Sequence, residues 1–224
     1  DADWRRRPET LTFSEIEPLA PPPPPPVAET FESAEPGTAP PYAKTHGEVR
    51  GASIRVTRER AANGGKSLKF VDRSDLPRAH WPWLAYKTRW EQGEARFSFR
   101  LWLQPGARFV HEWRNDGAPF DTGPRLEVAE GAVHCGDQVV ADVPERTWVH
   151  IEIRCGLGES GTGAYDITVT GADGASASAR NIPCVSGDAF RSLNWLGFIG
   201  SGEQDAAFYL DDLHLSVAER ETGP

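Results

Sequence analysis

What most constrains this chain is a two-residue rhythm. From Thr30 onward, short runs in which apolar and polar side chains alternate are separated by Gly, Pro, Asn and Asp. Successive side chains of an extended strand point to opposite faces, so the rhythm is that of strands with one buried side. The clearest runs are Ala52–Arg60, Ser67–Asp72, Ala95–Leu103, Phe109–Arg114, Arg125–Val128, Trp148–Cys155, Tyr165–Thr170, Leu193–Ile199 and Ala207–Val217. Turn sequences fall between them, such as Asn63-Gly64-Gly65, Gln104-Pro105-Gly106 and Ala172-Asp173-Gly174. No segment keeps a helical period over three turns. Many strands with little helix predict an all-β fold, a two-sheet antiparallel β-sandwich of the jelly-roll kind.

Alternation also assigns faces. In Ala95–Leu103, the residues Phe97, Phe99, Leu101 and Leu103 point to the core, and Arg96, Ser98, Arg100 and Trp102 point away. In Trp148–Cys155, the core side is Val149, Ile151, Ile153 and Cys155, against Trp148, His150, Glu152 and Arg154. The outward sets are polar, yet each carries a tryptophan, as a solvated sheet face that holds a ligand would.

Composition narrows the class. A formal net charge of -9 argues against nucleic acid, and the dense basic run Arg5-Arg6-Arg7 lies in an arm without strand pattern. No apolar run approaches the roughly 18 residues that span a bilayer. Residues 1–28 read as a flexible arm, because Pro21 to Pro26 form an extended polyproline rod. Residues 29–218 read as the sandwich and 219–224 as a disordered tail. A stiff spacer beside a domain implies tethering to another domain or subunit. The sequence lacks Met and starts at Asp1, as expected of a mature chain after leader removal or of a piece of a longer one, with a secreted or periplasmic location. The three cysteines, Cys135, Cys155 and Cys184, allow one disulfide plus a thiol or three buried thiols.

Aromatic and basic residues mark the candidate site. The densest aromatic stretch is His80-Trp81-Pro82-Trp83-Leu84-Ala85-Tyr86. Sugar rings present an apolar C–H face that stacks on exposed tryptophan or tyrosine, and few rotamers are lost in doing so. Trp81, Trp83 and Tyr86 are therefore candidates, with the closed end of the core as the other reading. Trp102 and Trp113, with Arg100, Arg114 and His111 near them in sequence, would form a second patch suited to an acidic polysaccharide. Trp148 and Trp195 read as packing residues.

Three stretches carry a family resemblance. These are Phe31-Glu32, the run Gly64-Gly65-Lys66-Ser67-Leu68-Lys69-Phe70, and the run Phe208-Tyr209-Leu210-Asp211-Asp212-Leu213-His214-Leu215. Together they resemble concanavalin-like (LamG-like) jelly rolls and related carbohydrate-binding modules, over residues 29–217. The middle of the chain is similar to C-terminal modules of large exported bacterial proteins that act on polysaccharides. The resemblance implies a structural calcium held by Glu32, the carbonyl of Lys66 and Asp211, with Asp212 as the alternative to Asp211. Calcium takes six to eight oxygen ligands, which two chain ends and a turn can supply.

Strings that would announce an enzyme are missing. There is no Glu-x-Asp-x-x-Glu strand for paired carboxylates, no Gln-Ile-His lyase strand, no Gly-x-Ser-x-Gly elbow, and no metal-ligand spacing among the six histidines. The expected function is a non-catalytic polysaccharide-binding module, using Trp81, Trp83, Tyr86, Trp102 and Trp113 for stacking and Arg100 and Arg114 for hydroxyls or uronates. Two alternatives stand beside it. One is an assembly domain docking through its arm, and the other is a lyase or hydrolase with Arg114 and His150 as charge neutraliser and base.

Overall fold

The computed structural model of the chain describes residues 26–201 and 204–218. Its strands form two antiparallel sheets packed as a sandwich. The eight-stranded sheet runs in the order β13 (Ser176–Pro183), β12 (Ala164–Thr170), β11 (Val149–Leu157), β6 (Gly93–Leu103), β15 (Ala206–Ala218), β4 (Ser67–Asp72) and β3 (Ser53–Thr57). The short β1 (Ala28–Glu29) also pairs with β15. The seven-stranded sheet runs β10 (Gln138–Asp142), β9 (Ala132–Cys135), β8 (Thr122–Ala129), β7 (Phe109–Arg114), β14 (Leu193–Gly200), β5 (Trp83–Trp90) and β2 (Ala43–His46). The proline run up to residue 25 and the tail after 218 lie outside the described residues. The sandwich itself is already under way at Val27, which is buried.

Register explains why alternation was a sound guide. β6 and β11 pair with Phe97 opposite Ile153, Phe99 opposite Ile151 and Leu101 opposite Val149, so each core residue stands beside another. On β15, Phe208 and Leu210 keep the same side up to a register shift between Asp211 and His214, after which Leu213 and Leu215 resume it. Across the interior, Phe208 stacks on Phe70 and on Phe109, with 4.5 Å between ring centroids in both pairs. Phe198 meets Phe99 edge-on at 5.1 Å. Each such side chain contributes about 1.5–3 kcal/mol by leaving water, and the aromatic contacts add to that.

A histidine among the interior aromatics breaks the pattern. His111 is fully buried, 4.5 Å from the Phe198 ring centroid and stacked on Phe97 at 5.2 Å. Its Nε2 accepts the indole N–H of Trp113 at 3.0 Å, which leaves the ring proton on Nδ1 and the ring neutral. Burial pushes its pKa down to about 3. The unfolded chain takes up a proton near pH 6.5 that the native ring refuses, so this residue's contribution to stability is present above that pH and falls as pH drops toward 3. A comparison with His111→Gln, which keeps an acceptor for Trp113, isolates the effect from other titrating groups. Urea melts from pH 7 to 4 are expected to show the wild-type advantage shrinking by about 1.4 kcal/mol per pH unit below about pH 6. A gap that stays constant would show that His111 is protonated inside the fold.

Candidate functional site

The outward side of the seven-stranded sheet gathers the exposed rings. On β5, Leu84, Tyr86 and Thr88 turn inward, which sends Trp83, Ala85 and Lys87 outward. The neighbouring β14 places Ile199, Gly197 and Trp195 beside them in register. On its other flank, β7 adds Val110, Glu112 and Arg114 to the same rows. The small pair Ala85 and Gly197 leaves a shallow floor between the larger residues. Trp195 lays its six-membered ring over that floor, and a Cβ on Gly197 would come within 2.0 Å of Trp195 Cη2.

Trp195 continues into a run of rings. Its centroid is 6.3 Å from that of Trp83. His46, on edge strand β2, lies 5.4 Å from Trp83 and 5.2 Å from Trp81. The three tryptophans are half-buried and His46 is exposed, so part of each ring faces solvent.

A cation accompanies each tryptophan. The Arg78 guanidinium is 6.0 Å from the Trp81 centroid, and Lys44 Nζ is 5.9 Å from that of Trp83. Arg114 is held between Trp195 and the exposed Phe120, 4.3 Å from each centroid. Arg114 also pairs with Glu112, whose other oxygen is 3.6 Å from Arg125. The arrangement can stack apolar ring faces and meet anionic groups at their rim.

The residues singled out from sequence fall into three places. Trp81, Trp83 and Arg114 share this outer face. Tyr86 does not, because it sits one residue out of phase with Trp83 and Lys87, and it is 2% exposed with burial raising its hydroxyl pKa. Trp113 is likewise inside the core, at 0% exposure, since β7 turns Phe109, His111 and Trp113 inward together. Trp102 and Arg100 do lie on an outer face, as alternation indicated, but it is that of the eight-stranded sheet. There Trp102 is only 4% exposed, capped by the Arg60 guanidinium 3.9 Å above its ring and met edge-on by Tyr209. Arg100 donates to Asp212 at 3.1 Å.

Two further readings need correction. Arg114 and His150 belong to different sheets and face away from each other, so they do not form a neutraliser and base pair. Trp195, read as packing, stands on the outer face, whereas Trp148 does pack, beside the Trp102 and Tyr209 cluster. Elsewhere, a cleft of about 570 Å³ at one end of strands β6, β11 and β12 is lined by residues that include Glu94, Arg154, Glu159 and Asp166 and carries no tryptophan. Cys135, Cys155 and Cys184 are buried thiols.

The three stretches that carried the calcium expectation do meet in space. Glu32 Oε1 accepts the backbone N–H of Gly65 at 2.9 Å and of Lys66 at 2.8 Å. Asp211, fully buried, accepts those of Ala62 at 2.8 Å and Asn63 at 3.3 Å. Its neighbour Asp212 lies on the outer face, with Arg100 and Asn63. The Lys66 ammonium donates to the carbonyls of Glu32 at 2.8 Å and Ala34 at 2.7 Å. In this arrangement both carboxylates accept backbone amides, and the carbonyls of Glu32 and Ala34 accept an ammonium.

No protein-family model matches the chain, and no curated protein matches it. The fold is similar to that of the cellulose-induced protein Cip1, with a TM-score of 0.58 at 12% identity over 88% of this chain and 100% of that one. It is similar to an endo-β-1,4-glucuronan lyase from the fungus Trichoderma reesei, with a TM-score of 0.55 at 10% identity over 82% and 94% of the two chains. An alginate lyase from Aplysia kurodai gives a TM-score of 0.55 at 8% identity over 79% and 90%. At such identities the likeness is one of fold.

The seat of Trp195 can be tested directly. In Gly197→Ala the added methyl group collides with the indole, which must leave the sheet. Near-UV circular dichroism is expected to change, at a cost in stability of about 1–3 kcal/mol. The same substitution in a Trp195→Phe background should change the aromatic signal far less. An unaltered spectrum in Gly197→Ala would mean that Trp195 does not rest there.

Proposed function

We propose that the chain binds an acidic polysaccharide, without cleaving it, along the outer face of the seven-stranded sheet. The observation that carries this reading is the run Trp81, His46, Trp83 and Trp195, with a cation beside each tryptophan. A pyranose ring lays its C–H face on an indole, while a carboxylate at its rim reaches the neighbouring lysine or arginine. His46, Trp83 and Trp195 are held by their strands before any ligand arrives, which reduces the ordering cost of binding. Polysaccharide as the ligand class is supported by the fold shared with a glucuronan lyase and an alginate lyase. A binding role rather than a catalytic one is supported by the pairing of Glu112 with arginines and by the separation of Arg114 from His150.

Affinity electrophoresis in gels cast with neutral or uronate polysaccharides, with released reducing ends and unsaturated uronates assayed in parallel, tests this. Retardation without release is expected, strongest in uronate gels. Trp83→Ala and Trp195→Ala should each weaken binding about tenfold or more, equivalent to about 1.4 kcal/mol. Trp102→Phe, on the opposite face, should bind as wild type. If both alanine variants were retarded like wild type, the binding face would lie elsewhere, and sugar release would replace binding with catalysis.

A further inference from the structure

We infer that Lys66 supplies, as a tethered ammonium, the cation that closes the N-terminal end of the sandwich, so that the fold holds without calcium. Three segments meet there: the entry turn after β1, the loop 61–66 that leads into β4, and the shifted region of β15 at Asp211. The loop would otherwise leave its amides unpaired. Instead, Ala62 and Asn63 donate to Asp211, while Gly65 and Lys66 donate to Glu32, so four N–H groups of the loop are shared between two carboxylates. Gly64, with φ +64°, permits the turn, and a Cβ there would come within 2.5 Å of Glu32 Oε1.

The entry turn is the part that needs an outside anchor. Phe31 is buried with φ 61°, in the left-handed region that side chains disfavour. The carbonyls just beyond it, of Glu32 and Ala34, point at the Lys66 ammonium at 2.8 and 2.7 Å. Lys66 is 8% exposed, so its charge is largely withdrawn from water and compensated by these two carbonyls and the adjacent Glu32. A cation placed at that position would have to displace the ammonium. Both carbonyls are already taken by this side-chain donor. Charge-assisted bonds from the covalently attached ammonium tie the entry turn to the loop, and the amides of Ala62 and Asn63 tie that loop to Asp211, with no ion to lose.

Thermal melts of the whole protein test the inference. Wild-type Tm is expected to be the same in EDTA and in millimolar calcium, and a rise of several degrees with calcium would overturn the inference. Lys66→Met keeps the apolar stem and removes the charge, and its Tm should fall by about 5 °C or more. A variant as stable as wild type would equally overturn it. Should Lys66→Met fail to fold, the paired wild-type melts still decide, because they ask only whether calcium contributes.

Discussion

Phe208 joins the two sheets, and the rest of the molecule takes its bearings from that contact. Its ring is stacked between Phe70, from the strand beside it, and Phe109, from the opposite layer. A strand that commits one residue to the interior commits its neighbours to the outside. Burying Phe208 therefore turns Tyr209 out toward Trp102, and burying Phe109 turns out Val110 and, two and four residues on, Glu112 and Arg114. In the same way, Leu196 and Phe198 in the core put Trp195, Gly197 and Ile199 on the surface. The ring track on the seven-stranded sheet is thus a consequence of core packing on its inner side.

Strands with clean alternation were legible in the sequence, and those carrying a polar residue inside were not. Ser67–Asp72 and Phe109–Arg114 have the bounds that the pattern gives, and the faces of β6 and β11 are as read. The error at Trp113 has a physical source. His111 occupies a core slot, so the inward set Phe109, His111 and Trp113 carries a polar residue while the outward set contains Val110. Only the neutral state of the imidazole, enforced by its aromatic surroundings, makes that slot tolerable. Similarly, β5 was hidden because Trp83, Ala85 and the inward Leu84, Tyr86 form an unbroken apolar run, whose phase is decided by pairing with β14. His46 gave no sequence signal at all, since β2 is a four-residue edge strand with mostly small or polar neighbours.

Of the candidate surface residues, Trp81, Trp83 and Arg114 stand on an outer face, while Trp102 shows why face alone is insufficient. Alternation places it outside, and Arg60, from the loop after β3, then covers it. A tryptophan exposed by strand geometry can still be buried by a loop, and short-range pattern does not report on loops. Trp195 is the converse case. Its glycine two residues on gives the indole room to lie down on the sheet, and a Trp-x-Gly spacing on an alternating strand is the signal that could have marked it.

The two charged features of the molecule sit on different layers and serve different ends. On the outer face proposed for binding, cations lie beside aromatic rings, and Lys44 is exposed. At the clamp, Lys66 is withdrawn and donates to two backbone carbonyls. Both bear on the proposed ligand. A uronate polymer carries dense carboxylates that compete for free divalent ions, and a sandwich closed by such an ion would be destabilised by the polymer it binds. An ammonium on its own side chain cannot be extracted in that way, so closure of the fold and recognition of an anionic chain need not compete.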